Sequence, residues 1–141
     1  MKYRILVVED NVDIRKMVRL SLGDCFEILE AENGASALAI INNMQPSIVL
    51  LDVKIRGAMS GFEVLEVIKS THAMRNVVVI MITAHGQEAD REKGMDLGAD
   101  AYFIKPFSPR RLVDTVQEFT NLFDTIPPTI LPFGDRPGLK A

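Results

Sequence analysis

The sequence predicts an α/β domain built on a doubly wound, five-stranded parallel sheet. Three observations lead there. Five short apolar runs, at residues 3–8, 26–31, 47–51, 77–82 and 101–104, are nearly continuous and mostly rich in Val and Ile, which suits strands buried on both faces. The segments between them carry apolar residues at helical spacing. Strand and helix alternate strictly along the chain, and such alternation implies right-handed βαβ crossovers.

After the first run, Ile14, Met17, Val18, Ser21 and Leu22 share one face of a first helix, which Gly23 ends. The second helix is predicted from Ala35, Leu38, Ala39 and Asn42, with Asn33 as its N-cap. Val64, Leu65 and Ile68 mark a third. The fourth, about residues 87–97, is polar, holds Gly94 inside and stops at Gly98. In the fifth, Leu112, Val113, Val116 and Phe119 fall in register behind Ser108-Pro109, a capping residue followed by a first-turn proline. Five strands connected in this way suggest the flavodoxin-like order 2-1-3-4-5 of a (βα)5 unit. After about Asp124 the composition changes. Pro127, Pro128, Pro132 and Pro137, with Gly134 and Gly138, cannot continue a helix or join a central strand. Residues 1–124 are expected to form one domain, and residues 125–141 a Pro-rich tail or linker.

A length of 141 residues fits one domain. With 48% hydrophobic and 25% charged residues, the chain suits a globular core and is not globally disordered. No apolar run approaches the ~18 residues of a membrane span, and residues 5–8 are too short for a signal-peptide core. The lone Cys25 allows no internal disulfide and is expected as a small buried residue opening the second strand. A cytoplasmic protein without membrane contact is therefore expected. The net charge of −3 disfavours nucleic-acid binding by charge and suits a metal cation or a basic partner.

In a doubly wound sheet, function gathers at the carboxyl ends of the strands, near the switch in strand order. The first strand ends in Glu9-Asp10 and the third in Asp52. Three carboxylates gathered there would repel one another, and a divalent, oxygen-seeking cation such as Mg²⁺ relieves that repulsion. Taken singly, Glu9 and Asp10 read as caps of the first helix, where negative charge is favoured. As a trio at strand ends they read as a site. The fourth strand ends in Thr83, followed by the small Ala84, and the fifth ends in Lys105-Pro106, which adds a hydroxyl and an ammonium. An aspartate beside Mg²⁺, a hydroxyl donor and a fixed cation suit phosphoryl transfer, which depends on positioning and on neutralising the equatorial oxygens. The carboxylate serves as nucleophile and forms an aspartyl phosphate.

These residues, in this order, resemble the receiver-domain family of two-component response regulators. The resemblance covers about residues 2–124 and rests on Val7-Val8-Glu9-Asp10-Asn11, Leu50-Leu51-Asp52, Ile82-Thr83-Ala84 and the stretch from Gly98 through Tyr102 to Lys105-Pro106-Phe107. It implies that Asp52 is the phosphoacceptor. Glu9, Asp10, Asp52 and the backbone carbonyl of Lys54 would hold Mg²⁺. Thr83 and Lys105 would contact the phosphoryl oxygens, and Thr83 with Tyr102 would form the switch. The Lys105-Pro106 bond is expected to be cis. The implied partners are a sensor histidine kinase or phosphotransfer protein, and an effector at the face of the fourth helix, fifth strand and fifth helix, with a homodimer as a further arrangement. The implied activity is that of a phosphoacceptor signalling domain, not an enzyme on an external substrate.

Two features depart from the family pattern. Ile55-Arg56 stands where the family has a Met-Pro pair, and Gly61 comes nine residues after Asp52, so the loop looks one residue longer. Lys54 and His85 should flank the pocket mouth and are expected to set the lifetime of the aspartyl phosphate. His72 reads as solvated, the methionines at 17, 44, 81 and 95 as packing, and two histidines with one cysteine make no zinc set.

Other functions fit less well. A hydrolase of the haloacid-dehalogenase type needs a second acid two residues past its aspartate, where Lys54 stands. A flavin or nucleotide carrier cradles phosphate in the loop after the first strand, and here that loop is acidic. A pure interaction module would not need Asp52, Thr83 and Lys105 together.

Overall fold

The computed structural model describes residues 3–84 and 88–125. Its strands are β1 (Arg4–Val8), β2 (Glu27–Ala31), β3 (Ile48–Asp52), β4 (Val78–Ala84) and β5 (Ala101–Lys105), all parallel, in the order β2-β1-β3-β4-β5. The helices between and after them are α1 (Val12–Leu22), α2 (Gly34–Met44), α3 (Gly61–Ser70), α4 (Glu88–Asp96) and α5 (Pro109–Thr125). The flavodoxin-like (βα)5 expectation is met, and the strand order reverses between β1 and β3.

Two apolar layers explain why the strand sequences do not alternate. Ile5, Val7, Ile48, Leu50, Val78, Ile80, Ile82, Ala101 and Phe103 face one side, where Val18 and Leu22 of α1 and Leu112, Val116 and Phe119 of α5 cover them. Leu6, Val8, Val49, Leu51, Val79 and Met81 face the other, against Ala37 and Ile41 of α2 and Val64, Leu65 and Ile68 of α3. Every second side chain goes to each layer, so both must be apolar. Each fully buried Leu or Ile contributes about 1.5–3 kcal/mol. The edge strand β2 instead shows Glu27 and Glu30, which pair with Arg4, Arg15 and Arg19 and keep that edge charged.

Helix starts follow their caps. Asn11 accepts from the Asp13 and Ile14 amides, Asn33 from Ser36, and Ser60 forms a reciprocal capping box with Glu63. Because Asn11 caps α1, Glu9 and Asp10 are not its caps.

Several expectations are corrected. The buried face of α2 is Gly34, Ala37 and Ile41, whereas Ala35, Ala39 and Asn42 are exposed. The segment is apolar nearly all round, so spacing alone did not fix its orientation. Cys25 is exposed, because it lies in the turn before β2 and not in the strand. Strand β4 runs on to Ala84. Gly94 of α4 is buried because its missing side chain lets the Tyr102 ring approach; a Cβ there would lie 3.4 Å from that ring. Helix α5 includes Thr125. His85, Gln87 and the remainder of the expected tail, residues 126–141, lie outside the described residues. Among the described residues, no helix is long and apolar enough to cross a membrane.

Candidate functional site

Register and alternation together build the site. Val8 pairs with Leu51, Asp52 with Ile82, Thr83 with Ile104 and Ala84 with Lys105, so the strand tips end at nearly one level. Asp52 continues the parity of Leu50, and Lys105 that of Phe103, toward the layer under α1 and α5. Thr83 and Tyr102 have the parity of Met81, toward α4. Glu9, Asp10, Asp52, Lys54, Thr83 and Lys105 line one cavity of about 270 Å³, with Asn11, Val53 and Ala84. Six of the residues expected from the sequence thus line one cavity. Tyr102 stands outside it, beside Thr83 on the next strand, and lines a groove between α4 and β5.

Lys105 organises the anions. Its Nζ lies 2.5 Å from Asp52 Oδ2 and 3.1 Å from Glu9 Oε1. The other Asp52 oxygen accepts from the Lys54 amide at 3.0 Å, a local Asx turn that orients the carboxylate. The Lys105-Pro106 peptide is cis. Gly61 closes tightly under the site: a Cβ there would sit 2.1 Å from the Asp52 carbonyl oxygen.

Glu9 and Asp52 are almost fully buried. Burial, with the neighbouring Asp52, pushes the Glu9 carboxyl up to about 8, against the pull of Lys105. Burial draws Lys105 down, but Asp52 and Glu9 outweigh it and hold the ammonium above its ordinary value. A single ammonium cannot balance two ionised carboxylates, so Glu9 holds its proton near neutral pH, and a cation that takes the proton's place satisfies both carboxylates.

The donors suit a hard cation: carboxylate oxygens, a nearby backbone carbonyl and room for water fit Mg²⁺, whereas among the described residues no thiolate or imidazole lines the cavity. They are not arranged as a finished ligand cluster. Among the described residues, no group of three or more His, Cys, Asp or Glu side chains converges on one point. Lys105 occupies the space between Glu9 and Asp52, and Asp10 turns toward Arg56 at 3.9 Å.

Three contributors were not foreseen. Arg15 is buried and donates to the Glu9 carbonyl at 2.6 Å while pairing with Glu30 and Glu32, which braces the turn after β1. Its signal was present: Arg15, Val18 and Leu22 share the buried stripe of α1. Arg56 of the lengthened loop, which bridges to Asn33, reaches Asp10. Asp90 of α4 accepts a hydrogen bond from Thr83 at 3.2 Å, and nothing in the sequence pattern singled it out.

Comparison with known proteins agrees with this geometry. The family model described as response regulator receiver domain matches residues 5–117. The phosphate regulon transcriptional regulatory protein PhoB of Escherichia coli is 42% identical over 118 residues, covering 83% of this chain and 51% of that protein. This chain therefore spans about half the length of the curated relatives it matches. Among solved structures, the receiver domain of NtrX from Brucella abortus superposes with a TM-score of 0.75 at 36% identity, covering 80% of this chain and 94% of that one. The chemotaxis response regulator CheY4 of Vibrio cholerae gives 0.76 at 28% identity, covering 83% and 98%. Fold, sequence and family model coincide, and the chain belongs to the response regulator receiver domain family of two-component signalling.

Proposed function

We propose that Asp52 accepts a phosphoryl group from a phosphohistidine on a sensor kinase or phosphotransfer protein. The observation that carries this reading is the Asp52 carboxylate itself, held at a strand tip between the Lys54 amide and the Lys105 ammonium with Glu9 in the same cavity. An Asp52 oxygen attacks phosphorus, the N–P bond breaks as the O–P bond forms, and the imidazole nitrogen keeps the electron pair. Lys105 then moves its contact from the carboxylate to a phosphoryl oxygen, and the Thr83 hydroxyl donates to another. Glu9, Asp10, Asp52 and the Lys54 carbonyl would hold Mg²⁺, which supplies charge neutralisation at the transferring group. Water later releases phosphate from the acyl phosphate. The domain assists these steps on itself and acts on no external substrate.

Partners follow from the same reading. The groove beside α4, β5 and α5 is lined by Arg91, Tyr102, Ile104, Phe107 and Arg111, with Ile104 exposed. It is the proposed surface for an effector or a second copy of the chain, biased by the switch pair Thr83 and Tyr102. Residues 1–124 are the proposed receiver unit, 125–141 its tail or linker, and the cytoplasm its compartment; nucleic acid and membrane are not proposed partners. Incubation with acetyl phosphate and Mg²⁺, followed by intact mass, tests the assignment. The wild type should gain one phosphoryl mass that Asp52→Asn lacks; a gain that persists in Asp52→Asn refutes it.

A further inference from the structure

A threonine hydroxyl has one proton to donate. That of Thr83 goes to Asp90 Oδ2, 3.2 Å away on α4. Thr83 is nearly buried and lines the Asp52 cavity. Asp90 lines a different groove, between α4 and the loop after β3. The threonine therefore stands on the wall between two spaces, with its only donor committed to the side away from Asp52. A phosphoryl oxygen on Asp52 and the Asp90 carboxylate cannot both receive that proton.

We propose that Asp90 is a positioning residue of the switch: it holds the Thr83 hydroxyl toward α4, and a phosphoryl group on Asp52 takes the hydroxyl from it. The inference rests on the reading of Asp52 as phosphoacceptor. It supplies a physical link between the pocket and α4, because a ligand shifts an equilibrium only through contacts that differ between the two states. The bond to Asp90 exists in one state alone. The surroundings are built for a rearrangement on this face. The Tyr102 hydroxyl is buried without a hydrogen-bond partner among the described residues. Burial raises its pKa, the adjacent Thr83 hydroxyl offsets part of that rise, and the Asp90 charge adds to it. Gly94 lets the same helix lie directly on the Tyr102 ring.

If the Thr83–Asp90 bond must break for a phosphoryl group to be gripped, removing Asp90 tightens the grip. Binding of beryllofluoride, a stable phosphoryl mimic, in the presence of Mg²⁺ can be measured by calorimetry. Asp90→Ala should bind about five- to tenfold more tightly than wild type, the net worth of one ordinary hydrogen bond. Asp90→Asn keeps an acceptor oxygen without the charge and should fall between the two, which also covers the case of an unstable alanine variant. In a Thr83→Ala background the Asp90→Ala change should have no effect, because the cycle isolates the pair. Equal affinities for wild type and both Asp90 variants overturn the proposal, as does an equal gain in the Thr83→Ala background, which would mean that Asp90 acts only as a distant charge. Binding that survives in Asp52→Asn overturns the phosphoacceptor reading instead, a pattern distinct from either.

Discussion

The sheet carries a lysine–aspartate contact at each end, and the two are built on different plans. At the amino end of β4 and β5, Lys69 Nζ lies 3.0 Å from Asp100 Oδ2 and also donates to the Val77 and Arg75 carbonyls. Asp100 is fully buried and accepts from the Val79 amide at 2.8 Å. Lysine and aspartate meet directly, and backbone groups take up further hydrogen-bonding positions. At the carboxyl end, Lys105 divides itself between Asp52 and Glu9. The first arrangement staples α3 to two strands. The second sets two buried carboxylates against one ammonium, so that Glu9 keeps its proton, and is poised to exchange contacts. Backbone anchoring marks the structural pair, and two carboxylates sharing one ammonium mark the site.

The largest expected effect separates the two lysines. Lys69→Met strands the buried Asp100 carboxylate without its cation and should cost about 3 kcal/mol or more in unfolding free energy. Lys105→Met removes a cation from a cavity open to water, whose carboxylates can take up a proton or a metal ion, and should cost less than half as much. The effects on phosphorylation should reverse: Lys69→Met keeps phosphoryl uptake below its melting temperature, while Lys105→Met slows it strongly. Denaturant unfolding and intact-mass time courses on both variants check this. Equal stability losses would break the comparison.

Much of this was legible in the sequence, and the limits have physical causes. Near-continuous apolar strands with helical segments between them fixed the fold, because a sheet covered on both faces demands that pattern. The site residues were legible because a parallel sheet delivers every strand tip to one edge, so Glu9, Asp52, Thr83 and Lys105 needed only their strands to be located. The face of α2 was not legible, since Gly34-Ala35-Ser36-Ala37 and Ile40-Ile41 give no polar side to orient it. Asp90 escaped notice because α4 is polar throughout, and a carboxylate there looks like any other. Its contact with Thr83 arises only from how α4 lies on β4.

Imbalance at the carboxyl end should also appear as a pH dependence. Glu9 titrates near 8 in the folded protein against 4.5 for an ordinary glutamate. A carboxyl raised by folding contributes its stability below about 4.5 and loses it as pH climbs through about 8. Metal-free protein should therefore lose stability across that interval, and Glu9→Gln should flatten this part of the profile. Mg²⁺ favours the ionised carboxylate, so its binding near neutral pH should release protons, detectable as a buffer-dependent heat. A profile unchanged in Glu9→Gln would mean that Glu9 is already ionised beside Lys105, and that burial and Asp52 do not hold a proton on it.

The smallest effect concerns a third lysine, and it sharpens the contrast between held and free cations. Lys54 is exposed at the cavity mouth, and its amide rather than its ammonium holds Asp52. Lys54→Ala keeps that amide. It removes only a charge in water, where two unit charges 4 Å apart interact by about 1 kcal/mol before screening. Release of phosphate from the phosphorylated domain should then change by about threefold at most, with no change in unfolding free energy. Such a result assigns the Lys54 side chain to the lifetime of the acyl phosphate alone. An unchanged release rate removes it from that role, and a large stability loss would mean that the cavity draws on a second cation for balance, erasing the distinction between the two ends of the sheet.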